Sequence, residues 1–121
     1  MPKMYLSQFT LETLRAKVET GGSFQIVITP IYPHLFEKVG LAAGQLHNSL
    51  EACGYSVLLD DRNQKPKNMF KVAALLKIPH RLTISGRSLD AGVYEYFSNE
   101  TEEYGKVPIG EIIDFLDDLI N

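Results

Sequence analysis

The sequence predicts one α/β domain, a mainly parallel sheet of five strands flanked by helices, with an extra helix at the amino end. Three observations lead there. Residues 25–31 (QIVITPI) and 56–60 (SVLLD) are short, nearly continuous apolar runs rich in β-branched side chains. Such runs suit strands covered on both faces, as in a parallel sheet. A long amphipathic stretch separates them, so strand, helix and strand form a βαβ unit with the usual right-handed crossover. Further strand-like segments then alternate with shorter helical ones, and the chain's 121 residues fit one domain.

Taken in order, residues 1–6 carry no clear pattern and are expected to be loose. Residues 7–20 space Leu11, Leu14 and Val18 as a short helix, with Ser7 or Thr10 as its cap and Gly21-Gly22 as its stop. Residues 1–24 are thus an extension and 25–121 the main domain. The first strand ends at Pro30. Residues 35–53 are the clearest helix: Leu35, Val39, Ala42, Leu46, Leu50 and Cys53 share one stripe. On that reading Cys53 is buried and His47 lies on the polar face. Asn68 is the candidate cap of a short helix over 68–76, which Pro79 stops. Residues 81–85 alternate, with Leu82 and Ile84 inward and Arg81, Thr83 and Ser85 outward, as a half-exposed strand. Residues 93–97 (VYEYF) form a fourth strand, and 104–107 return as a short edge strand. Pro108 opens a final helix that turns Ile109, Ile112, Ile113, Leu116 and Leu119 inward.

The net charge of −3 conceals a strong polarity. Seven of the 12 Lys and Arg residues fall in 62–87 (Arg62, Lys65, Lys67, Lys71, Lys77, Arg81, Arg87), and that window holds no Asp or Glu. Residues 90–121 invert the balance, with nine acids against Lys106 alone. Sign asymmetry of this kind points to an anionic partner for the basic window, and to one solvent-facing ridge on which its cations converge.

The order of residues 56–95 carries a resemblance. VLLDDR, the Lys65-Pro66 pair, Phe70, KIPHR and GRSLDAGVYEY together resemble the carboxyl-terminal anticodon-binding domain of bacterial-type prolyl-tRNA synthetase. The similarity spans roughly residues 25–118 and implies a mixed five-stranded sheet flanked by helices. In that family a Glu and a Lys of the basic loop read anticodon bases. The matching positions here are Gln64 and Met69, and Lys77 replaces the glycine before Ile-Pro. The family's linker from its catalytic domain is replaced by ETGGSF, as expected of a free-standing relative. The class II catalytic motifs are absent, so aminoacylation is not expected.

No other chemistry is signalled. Asp60 and Asp61 are neighbours at a strand end and point to opposite faces, so they do not converge on one atom. Pairing with Arg62 is the expected role. One cysteine and three scattered histidines offer no metal-ligand spacing, and no phosphate-binding glycine loop occurs. No cofactor, metal or catalytic residue is expected. Tyr94 and Tyr96 share a face and are expected to pack under the last helix. Without a signal peptide or an apolar run near the length of a membrane span, no membrane insertion is expected, and the cytoplasm is the expected compartment. The expected partner is tRNA or a similar RNA stem-loop. Arg62, Gln64, Lys65, Lys67, Lys71, His80 and Arg81 would contact it, mainly at phosphates. The alternative is a protein partner, met through the amino-terminal helix or the acidic carboxyl-terminal half.

Overall fold

A computed structural model describes residues 4–19 and 24–120. The elements run β1 (Met4–Tyr5), a 3-10 turn (Leu6–Gln8), α1 (Leu11–Glu19), β2 (Ile26–Pro30), α2 (Glu37–Ala52), β3 (Val57–Leu59) and α3 (Pro66–Leu75). They continue with β4 (His80–Ile84), α4 (Gly86–Asp90), β5 (Val93–Ser98), β6 (Tyr104–Pro108), a 3-10 turn (Ile109–Glu111) and α5 (Ile112–Ile120). The sheet has six strands, in the order β1-β3-β2-β4-β5-β6. The first four are parallel, and β5 and β6 run antiparallel.

The α/β class and mainly parallel sheet match the expectation; the strand count does not. Met4 and Tyr5 are not loose: they pair with Leu58 and Leu59 and add a sixth strand outside β3. Two residues are too few to show a period of two, so no pattern announces them.

Right-handed crossovers dictate the layers. Moving from β2 to β3 puts α2 on one face, and moving back across β2 to β4 puts α3 on the other. The α2 face also receives α5 and holds the larger core, with Ile26, Ile28, Leu50, Leu82, Ile84 and Leu116 fully buried. The opposite face packs Leu6, Leu14, Val27, Leu58, Ala73 and Ile78 beneath α1 and α3. Truncating Leu50 or Leu82 to alanine would cost about 2–5 kcal/mol, since neither cavity can collapse freely. Thr29 and Thr83 are buried on the α3 side with their hydroxyls 2.9 Å apart. Thr83 therefore does not face solvent as its alternation predicts; it is buried against Thr29 of the neighbouring strand.

The helix α2 begins two residues later than its apolar stripe suggests. Leu35 precedes it and is exposed, as is Cys53 at its carboxyl end. Its buried row is Val39, Ala43, Leu46, His47 and Leu50. His47 is fully buried, contrary to the polar-face expectation. Its ring meets Tyr5 edge-on at 5.3 Å, and Nε2 lies 2.7 Å from Oε1 of Glu51. The unforeseen β1 supplies the Tyr5 that covers it. Thr10 caps α1 as expected, its Oγ1 accepting from the Thr13 amide at 3.1 Å. The Gly21-Gly22 stop falls outside the described residues, as do the side chains of Leu11 and Val18. The last helix turns Ile112 and Leu116 inward as expected, while Ile109 and Leu119 stay exposed. Tyr94 and Tyr96 are buried on its side of the sheet, with Tyr96 edge-on to Phe115 at 5.0 Å.

Candidate nucleic-acid interface

The loop after β3 is organised by one buried carboxylate. Asp60 is only 1% exposed. Arg62 donates to it twice, Nε to Oδ1 and Nη2 to Oδ2, each at 2.9 Å, and the Arg62 amide adds a third bond at 3.2 Å. Hydrogen bonding to Asp60 raises the Arg62 pKa, with partial burial working against it. Asp61 points the other way and accepts from the amide and hydroxyl of Ser7. The two carboxylates therefore fasten the loop to itself and to the amino-terminal segment. Their expected divergence holds, and so does the pairing of Arg62. The guanidinium clasps Asp60 through Nε and Nη2 and stays a quarter exposed.

The helix α3 starts earlier than Asn68. Lys65 is its cap residue and Pro66 the first helical position, where a fixed φ and a missing N–H cost nothing. Lys65 and Lys67 are exposed, and Lys71 lies one turn beyond Lys67 on the same face. The first turn holds no acid. Among the described residues none of these lysines forms an ion pair. Gln64 is exposed nearby, with Oε1 3.4 Å from Nδ2 of Asn68. Met69 is 1% exposed and belongs to the core.

Arg81 leaves β4 on the α3 side. Its guanidinium lies 3.8 Å from the centre of the Phe70 ring and 4.5 Å from that of Phe97. Burial lowers its pKa, opposed by the charge of Glu95. Its Nε is buried without a hydrogen-bond partner, and no described carboxylate comes within ion-pair distance. A half-buried cation set over two rings, with Glu95 acting on it only from beyond ion-pair distance, is poised for an anion.

His80 is elsewhere. It opens β4 opposite Ile26 at the amino end of β2, and neighbouring strand residues face opposite sides, so it joins the α5 face. Its Nδ1 is 2.7 Å from the Tyr96 hydroxyl, and burial lowers its pKa, opposed by the charge of Glu100. The basic window is therefore dispersed rather than gathered on one ridge. Lys77 sits past the far end of α3 beside Pro79 and Asn99, and Arg87 sits on α4 near Phe36 and Lys38. What remains together is the first half of α3 and, one layer below, Arg81. Sequence reasoning misses Phe97 as the second ring on Arg81; alternation with Tyr96 gives its face of the strand, but the pairing opposite Arg81 has no signal in the sequence.

The family model for the anticodon binding domain matches residues 25–119. The chain belongs to that family, the anticodon-binding domains of class II aminoacyl-tRNA synthetases. Membership implies a tRNA-binding module. The match begins at Gln25, so β1 and α1 lie outside it. It covers an anticodon-binding domain and no catalytic domain. Among the described residues no helix is long and apolar enough to cross a membrane.

Proposed function

We propose that this chain is a tRNA-binding module of the prolyl-tRNA synthetase type that grips an anticodon-like stem-loop by its phosphates rather than by its bases. The amino end of α3 carries the argument. Lys65 and Lys67 stand at the positive pole of a helix dipole without an acid to balance them. Each such cation costs roughly 0.3–1 kcal/mol, until an anion arrives and reverses the sign. Lysines and dipole then both attract the same group. Arg81, aligned by Phe70 and Phe97, adds a charge-assisted contact. Phosphate contacts of this kind carry affinity and little sequence information. Gln64 and the buried Met69 stand where the family carries its base-reading Glu and Lys, which supports weak discrimination between anticodons.

A salt titration of tRNA binding tests this. Log affinity should fall linearly with log salt. Charge reversal at Lys65, Lys67 and Lys71 should flatten the slope by about 0.7–0.9 for each phosphate left without its cation. Affinity that is absent at low salt defeats the proposal. A second reading, a protein-interaction subunit on the same fold, then takes its place. One observation favours that reading: Leu35, Phe36 and Leu41 are exposed together around the amino end of α2.

A further inference from the structure

A cleft of about 510 Å³ opens between β5, β6 and α5, on the face away from α3. Tyr96 and Phe115 form its aromatic wall, with His80 hydrogen-bonded behind Tyr96. Leu119 and Ile120 supply an apolar side. Glu100 and Glu103 stand at the rim, and neither forms an ion pair with a described residue. Among the described residues no Lys or Arg lines the cleft. Lys77 shares the adjoining hollow with Glu100 but stays beyond ion-pair distance.

Three sources of negative potential meet there. The two carboxylates are the first pair, and their fields reach inward: both oppose ionisation of Tyr96, whose pKa is raised chiefly by burial. The third is the carboxyl end of α5, which has no basic residue in its last turn. An anion would be repelled, so this is no second phosphate site. Among the described residues no group of three metal-ligating side chains exists, so a metal ion finds too few ligands. Aromatic faces beside carboxylates suit a cation that carries apolar surface of its own.

We propose that this cleft binds an organic cation, an alkylammonium or alkylguanidinium group on an apolar stem. The charged head lies over the Tyr96 and Phe115 rings between Glu100 and Glu103, and the stem lies on Leu119 and Ile120. Such a group comes either from a free amine or from a lysine or arginine of a partner. β6 is the outer strand of the sheet and its Gly105 lines the cleft, so an extended partner segment has backbone to follow. The inference does not depend on RNA binding, because α3 is on the opposite face.

The test is a titration of the isotopically labelled chain followed by amide shifts. The probes are butylammonium, neutral 1-butanol and the blocked tripeptide acetyl-Gly-Lys-Gly-amide. Butylammonium should shift the amides of residues 100–105 and 119–120 saturably, and butanol should not. The double variant E100Q/E103Q, altered only at exposed rim positions, should weaken butylammonium binding by at least about fivefold while retaining its melting temperature. Tighter binding of the tripeptide than of butylammonium assigns the cation to a protein partner; equal binding assigns it to a free amine. Absent saturation, equal shifts with butanol, or unchanged affinity in the double variant overturns the proposal.

Discussion

Arg62 and Arg81 come from the same acid-free window, yet the fold uses them in opposite ways. Arg62 is spent on a buried carboxylate and fixes a loop. Arg81 lies over two phenyl rings, with no described carboxylate within ion-pair distance. Local sequence sets this difference. Asp60 sits two residues before Arg62, within reach of a bidentate bond around a turn. Arg81 projects from mid-strand onto a face where Phe70 and Phe97 converge. Charge count alone marks a region; which cations stay available depends on what else the fold buries beside them.

The strongest way to break the comparison is to remove Asp60 or Arg62. Arg62→Met leaves Asp60 buried and unpaired, and should lower unfolding free energy by roughly 3–5 kcal/mol in urea melts. A drop of under about 1 kcal/mol would mean that water already reaches the carboxylate. Next comes the triple variant K65E/K67E/K71E. Its tRNA affinity should drop about 30- to 100-fold at low salt, and its melting temperature should rise, because acids replace bases at the amino end of α3. A fall in both would point to a damaged fold rather than to weakened phosphate binding.

Arg81→Met sharpens the contrast. The stem's packing survives and a half-buried cation disappears, so stability should stay within about 0.5 kcal/mol of the parent. Affinity for tRNA should nonetheless fall about 5- to 10-fold. If Arg81→Met destabilises as strongly as Arg62→Met, the two arginines play the same structural role. The smallest effect concerns His80. Burial holds its folded pKa below the ordinary 6.5, so the unfolded chain binds more protons as the medium acidifies. The stability it contributes is present above pH 6.5 and is lost as pH falls through the folded value. Urea melts at about pH 7.5 and 5 should show a larger acid loss for the parent than for H80Q, an amide that does not titrate there.

Much of the sheet is legible in the sequence because buried parallel strands announce themselves by composition. Ile26, Ile28, Val57, Leu58 and Leu59 need no partner to be recognised. The alternation at Tyr94 and Tyr96 likewise marks one covered face of β5. Errors cluster where tertiary cover decides burial. Thr83 looks outward until it meets Thr29 across the strands, and His47 looks solvated until Tyr5 closes above it. Cys53 goes the other way, since α2 ends before carrying it into the core. At the candidate site, Lys65, Lys67 and Lys71 are readable as cations of one short helix. His80 is misplaced because adjacency along a strand means opposite faces. The Phe97 ring on Arg81 depends on cross-strand pairing, which a single chain does not display.

The pairing of Met4 and Tyr5 with Leu58 and Leu59 has a temporal meaning. During synthesis this segment emerges 54 positions ahead of its strand partner. At about 5–20 residues per second the wait lasts roughly 3–10 s. Through that interval Tyr5 has no Leu59 to pair with. The nascent chain therefore closes this edge of the sheet only once Asp61 has emerged to accept from Ser7, while the opposite edge at β6 is still to be made.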